Sequence, residues 1–374
     1  MMQAPKWRVT GASVRGASHA RAALPNQDAI LWWPEDQQGP PLLLVVSDGH
    51  GSDKSFRSEV GSRLAVECAA ALLRELLLIQ PAAKHLSAIK RALEERLPLE
   101  LVKDWRSAVD ARLGAEPFTE AELARVEQKR GPAGRQEVVN NPRLAYGATL
   151  LAAVVAQEFI AYLQLGDGDI LTVTQDGEVT RPFAHDARLI ANETTSLCME
   201  HAAREVRVRF QAAFDAGPAM ILLATDGYAN SFVNEEAFLK VGSDLLDILR
   251  EDGAAVVAGA LPSWLDDASA AGSGDDISLG ILFRGDVALR VDRPVGEAEA
   301  ADTLPLAAPS AVAPREAATA GPEVSDGAAL RSRFVARIKQ RGPTEPSKRG
   351  RLADLGLVEA ADPDDEHAQG VEET

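Results

Sequence analysis

The sequence has only two cysteines, Cys68 and Cys198, far apart and without the paired spacing of a zinc site or a disulfide framework. Such sparing use points to a reducing compartment, with both thiols read as small buried hydrophobes. No stretch approaches the roughly 20 apolar residues needed to span a bilayer, and the opening MMQAPKWRVTGASVRG lacks the uninterrupted apolar core of a secretory leader. A cytoplasmic protein is expected. Positive charge is scarce: 39 Lys and Arg against 56 Asp and Glu give a net charge of -17, so repulsion argues against nucleic acid or an anionic membrane as partner. Signatures of covalent or nucleotide chemistry are missing too. There is no Gly-x-Ser-x-Gly elbow, no Cys-x5-Arg loop and no glycine-rich phosphate loop ending in Lys-Ser/Thr.

What is present is a chain of 374 residues, 46% hydrophobic and 25% charged, long enough to bury a sizeable core. Apolar runs of strand type recur at 7–14, 29–33, 42–47, 148–155, 159–165, 170–174, 219–225 and 277–283. Several are separated by hairpin-length connections, among them Asp176-Gly177, which favours antiparallel meanders. Helical spacing appears at 59–80, through Val60, Leu64, Cys68, Leu72, Leu73, Leu76 and Leu77, and at 86–109, with a bend expected at Pro98. A third helix is expected from a Thr119 cap, with Glu122 reciprocating, to a stop before Gly131; two more occupy 234–251 and 254–270. The pattern predicts an α+β protein, a β-sandwich of two antiparallel sheets flanked by helix pairs, over 1–285. From 286 to 374 an Ala/Pro/acidic low-complexity tail follows, with one possible short helix at 327–340.

Four segments share one design, an acidic residue beside a glycine or amide at the end of a hydrophobic strand: Asn26-Gln27-Asp28, Asp48-Gly49-His50-Gly51, Thr225-Asp226-Gly227 and Gly274-Asp275-Asp276. A fifth is Gly166-Asp167-Gly168-Asp169, whose aspartates are read as a structural turn. Each alone is most simply a turn. Gathered at one sandwich edge, such carboxylates would repel one another unless cations neutralised them, and oxygen ligands without Cys or His select Mg2+ or Mn2+. Two such ions suit phosphoester hydrolysis. His50 stands where a general acid for the leaving alkoxide is needed.

In this order, VVSDGHGS, YGATLLAAVV, LQLGDGDI, LLATDGYANSF and GSGDDISLGIL, preceded by GASVRGASHARAALPNQDA, resemble the type 2C metal-dependent serine/threonine protein phosphatases, most closely a bacterial branch. The resemblance spans about 7–285. It implies that Asp48 bridges two metal ions, that the Gly49 carbonyl binds one, that Asp226 and Asp275 hold the other, and that Asp28 and Gln27 lie behind them, fixing water. It further implies a phosphoprotein substrate and, as partner, a serine/threonine kinase or its targets.

The chain departs from that pattern in four places. Gln27 replaces a glutamate, and Ala23 falls near the position of a phosphate-binding arginine, leaving His19, Arg21 or Arg15 as candidates for that role. Leu144 and Asn230 stand where aspartates of a third metal site would be. Two rival readings stay open, an inert phosphatase-fold module that binds phosphoproteins and a two-metal hydrolase of small phosphoesters. The remaining conspicuous side chains have bland readings: Trp32, Trp33 and Trp105 as packing, His185 and His201 as loop residues.

Overall fold

Strands apolar at every position must be covered on both faces, and the chain meets this demand with two sheets packed together and helices outside each. The computed structural model describes residues 6–79, 86–184, 194–212 and 217–287. The expected tail beyond 287, its helix at 327–340, and His185 lie outside these residues. One sheet runs in the order β3 (Gln38–Gly39), β1 (Trp7–Val14), β11 (Ile277–Arg284), β10 (Met220–Ala224), β7 (Asp169–Val173), β8 (Val179–Thr180). The other runs β2 (Ala29–Trp33), β4 (Leu42–Ser47), β5 (Leu150–Val155), β6 (Phe159–Leu165), β9 (Arg207–Ala212), and every pairing in both sheets is antiparallel.

The period of two divides each strand between two cores. On β4, Leu42, Leu44 and Val46 enter the sandwich interior with Leu151, Val155, Ile221 and Leu223, while Leu43 and Val45 face the helical layer. That layer contains α2 (Ser58–Ile79), α3 (Leu86–Arg91), α4 (Leu97–Ala115) and α5 (Glu120–Asn140). Its anchor is Trp105, fully buried, with Nε1 donating to Gly61 O at 3.0 Å. On the opposite side α8 (Glu235–Glu251) and α9 (Ala254–Ala271) cover Leu222, Leu279 and Ile281, with Trp264 at the centre. The shortest helices are α1 (Ala17–Arg21), α6 (Ala202–Glu205) and α7 (Asp226–Ala229).

Several elements differ from expectation. The bend in the second helical block is a π-helical turn at Ala92–Arg96, and Pro98 sits in the first turn of α4. The Thr119–Glu122 capping box forms, but Gly131 (φ 71°) produces a kink rather than a stop, and the helix restarts at Pro132. Strand β9, RVRFQA, was absent from the expected set because it is a half-exposed edge strand with polar alternation. Both cysteines are free thiols, Cys198 buried and Cys68 half-buried, and no helix among the described residues is long and apolar enough to cross a membrane.

Candidate metal centre

Strand ends from both sheets meet at one edge of the sandwich. Asp48 follows β4, Asp167 lies in the turn between β6 and β7, and Asp226 follows β10 as the first residue of α7. One carboxylate oxygen from each lies within 4.8 Å of the others. Asp48 and Asp226 are thus brought together as the sequence expected. Asp167, read there as a structural turn, has its carboxylate in the same cluster. Its neighbour Asp169 is not part of that cluster and is held by Arg181 Nε at 2.6 Å.

The backbone around Asp48 is clamped from two sides. Asp48 N donates to Thr149 Oγ1 (3.0 Å), Thr149 N donates back to Asp48 O (2.8 Å), and Gly49 N donates to Gln27 O (3.1 Å). A Cβ at Gly49 would fall 2.5 Å from Gln27 O and 2.7 Å from Ser58 O, so only glycine fits this crossing. Burial raises the Asp48 pKa well above the carboxylate range, and the charges of Asp226, Asp28 and Asp275 add to it. Burial raises Asp28 likewise, against the hydrogen bond that its Oδ2 accepts from Thr225 Oγ1 at 2.8 Å. Asn230 Nδ2 donates to Asp226 Oδ2 at 3.1 Å, so the residue that stands at an expected third-site position props a cluster carboxylate. Leu144, at the other such position, is half-buried against the core under α2. Behind the cluster, Gln27 Oε1 is buried and has no hydrogen-bond partner among the described residues. Mutually repelling carboxylates without sulfur or imidazole ligands, backed by an unmet acceptor oxygen, fit hydrated hard divalent cations.

Asp275 sits outside the three-carboxylate cluster. Its Cβ lies 3.3 Å from where a Cβ on Gly227 would be, and its Oδ1 is 3.5 Å from His19 Nε2. The other ring nitrogen of His19, Nδ1, donates to Asp276 Oδ2 at 2.8 Å, a bond that raises the imidazole pKa. His19 therefore has both nitrogens turned to carboxylates. Arg15 and Arg21 are exposed and make no ion pair among the described residues. Asp276, named in the sequence only as the neighbour of Asp275, has a structural place of its own. It is buried, accepting from Gly16 N (2.6 Å), Gln27 N (2.6 Å) and His19, and so ties the N-terminal segment to the start of β11. His50 N donates to Gly147 O at 3.0 Å, and its ring lies over Gly147, where a Cβ would be 2.5 Å from Cδ2.

The loop that carries His50 onward is strapped to α5. Lys129 pairs with Asp53 (2.7 Å), Lys54 with Glu137 (2.7 Å), and Arg57 with Glu122 (2.8 and 3.0 Å), while Arg57 also donates to Tyr146 Oη at 2.8 Å. Arg57 lowers the Glu122 pKa from 4.5 to about 2. Because the folded-state value lies below the unfolded one, the pair adds stability that is present above pH ~4.5 and is lost as pH falls towards 2. After discounting for solvent screening its contribution is on the order of 1 kcal/mol. Glu122→Gln should therefore unfold at lower urea than the parent at pH 7, with the gap closing near pH 2–3. A gap constant across pH would assign the loss to the helix cap instead.

A family model described as protein phosphatase 2C matches residues 15–266 of the 374. The chain belongs to that family. No curated protein matches it. Among solved structures, it is similar to the Mycobacterium tuberculosis serine/threonine phosphatase PstP/Ppp, at 17% identity over 75% of this chain and 99% of that one, with a TM-score of 0.45. It is also similar to PppA, a key regulatory component of T6SS in Pseudomonas aeruginosa, at 20% identity over 74% and 97%, with a TM-score of 0.46. A third is the serine/threonine phosphatase Stp1 from Staphylococcus aureus, at 14% identity over 74% and 94%, with a TM-score of 0.44.

Proposed function

We infer that this chain hydrolyses phosphoserine and phosphothreonine in proteins, using two divalent cations, Mn2+ or Mg2+. The observation that carries the reading is the convergence of Asp48, Asp167 and Asp226 within 4.8 Å at the sandwich edge, in a member of the protein phosphatase 2C family. Asp48, the Gly49 carbonyl, Asp226 and Asp275 are the proposed ligands, and Asp167 joins them. Bound there, the cations would supply Lewis acidity to the phosphoryl oxygens and lower the pKa of water. The chain's own residues do the rest. Asp28, hydrogen-bonded to Thr225, and the buried Gln27 amide are placed to orient water behind the cluster. His50 is held against Gly147 and keeps a proton for the departing serine or threonine alkoxide. The substrate is a phosphoprotein, with a serine/threonine kinase or one of its targets as the partner.

His50→Ala tests the assignment. With a phosphothreonine peptide, kcat should fall by about 10²–10⁴-fold, whereas p-nitrophenyl phosphate, whose leaving group needs no proton, should be turned over at close to the parent rate. Equal losses on both substrates would remove His50 from the role of acid. If the parent protein releases no phosphate from either with Mn2+ or Mg2+, the reading as an enzyme fails.

A further inference from the structure

Outside the carboxylate cleft the described surface carries a groove rich in positive charge. It is a hollow of about 450 Å3 between α4 and the segment that leads into α6. Lys103, Arg106, Arg143 and Arg204 line it against two carboxylates, Asp110 and Glu200. Asp110 is already engaged by Arg143 Nε at 2.9 Å. No carboxylate pairs with Lys103, Arg106 or Arg204 among the described residues. The Arg106 guanidinium is fixed by main-chain oxygens instead, with Nη2 donating to Met199 O (2.5 Å) and Glu200 O (3.0 Å) while Nε is buried without a partner. A preorganised excess of positive charge is thus maintained on a chain whose net charge is -17.

The groove backs onto the wall of the catalytic cleft. Arg143 lies on the short 3-10 helix Pro142–Tyr146 that runs directly into Gly147, and Glu200 lies two residues beyond Cys198. A Cβ at Gly147 would meet both the His50 ring and Cys198 Sγ, at 2.5 and 3.2 Å. The chain segments that line the groove therefore continue into residues packed beside the proposed acid. An acidic polypeptide approaching the aspartate cluster would be repelled along most of this surface, and here it would find a complementary track.

We propose that this groove receives an acidic stretch flanking the phosphorylated residue of the protein substrate, which makes acidic phosphoproteins the favoured class. The proposal rests on the phosphatase reading above for its substrate, but its charge recognition is measurable without turnover. The reporter variant is Lys103→Glu/Arg204→Glu, two exposed residues with no part in the metal centre.

The test uses the full-length protein in two arms. In EDTA, a fluorescein-labelled, unphosphorylated Asp/Glu-rich peptide should bind at least ~tenfold more tightly than a Ser/Gly-rich peptide of equal length, less so at 0.5 M salt, and the variant should lose that preference. With Mn2+, kcat/KM for an acid-flanked phosphothreonine peptide should exceed that for the neutral peptide by a similar factor, carried by KM. The variant should lose the difference while turning over p-nitrophenyl phosphate at the parent rate. Equal binding of the two peptides, or a preference that survives in the variant, would overturn the proposal. Selective binding in EDTA with no turnover of any phosphoester would leave the groove standing and reject the phosphatase reading.

Discussion

Asp48→Asn is expected to abolish metal-dependent phosphate release while making the EDTA-treated protein harder to unfold by heat. The first half follows from its place in the cluster, where it stands within 4.8 Å of the Asp167 and Asp226 carboxylates. Losing one cluster carboxylate removes several kcal/mol of transition-state stabilisation, so kcat on a phosphothreonine peptide should drop at least ~10³-fold. The second half follows from the electrostatics. Burial and the charges of Asp226, Asp28 and Asp275 all disfavour ionised Asp48. An uncharged isostere relieves this without changing shape, for a gain of order 1 kcal/mol, or ~2–4 °C in a domain of this size. Addition of Mn2+ should then raise the Tm of the parent and leave that of the variant nearly unchanged. A variant whose metal-free Tm falls would mean that Asp48 is satisfied without cations, and a variant that keeps its activity would relocate the metal site.

Asp276→Ala should cause the largest loss of stability. The carboxylate is 3% exposed and accepts three bonds, from Gly16 N, Gln27 N and His19 Nδ1. Truncation strands all three donors and leaves His19 facing Asp275 alone, at a cost of about 3–5 kcal/mol. Asp276→Asn should cost less, since one oxygen still accepts while the new amide N–H₂ opposes a donor. Urea unfolding of the three proteins at pH 7 measures the series. If both variants stay within about 1 kcal/mol of the parent, the N-terminal segment is held by something other than this carboxylate. Activity should fall along with stability, because the Gln27 carbonyl that receives Gly49 N is positioned by the bond from Gln27 N to Asp276.

The central strands were legible because β5 and β10 are apolar at every position and β4 at all but its last, Ser47, a demand that only a two-sided covering satisfies. Strand β9 was not, since an edge strand with arginines on its open face has no such signature. The same contrast holds at the site. Asp48 and Asp226 each follow a conspicuous apolar strand, so their convergence was readable. Asp167 lies in a Gly-Asp-Gly-Asp turn that local chemistry explains completely, and only the crossing from one sheet to the other between β6 and β7 puts it in the cluster. His19 and Asp276 are 257 residues apart, so nothing local could pair them, and their contact was not readable for that reason. Gly131 was read as a stop because glycine followed by proline ends most helices; here the proline begins the next helical turn instead.

Strand β1 lies between β3 and β11, pairing with β11 from Trp7↔Arg284 to Val14↔Ile277. On the ribosome, β1 must therefore wait for β11, far downstream of it. Until Arg284 clears the exit tunnel, one long edge of β1 is unpaired and its apolar residues Trp7 and Val9 lack part of their cover. The half-made chain thus carries an open edge while the residues between β1 and β11 are made, at ~5–20 residues per second. Its need for a holding chaperone should track translation speed across the stretch between β1 and β11.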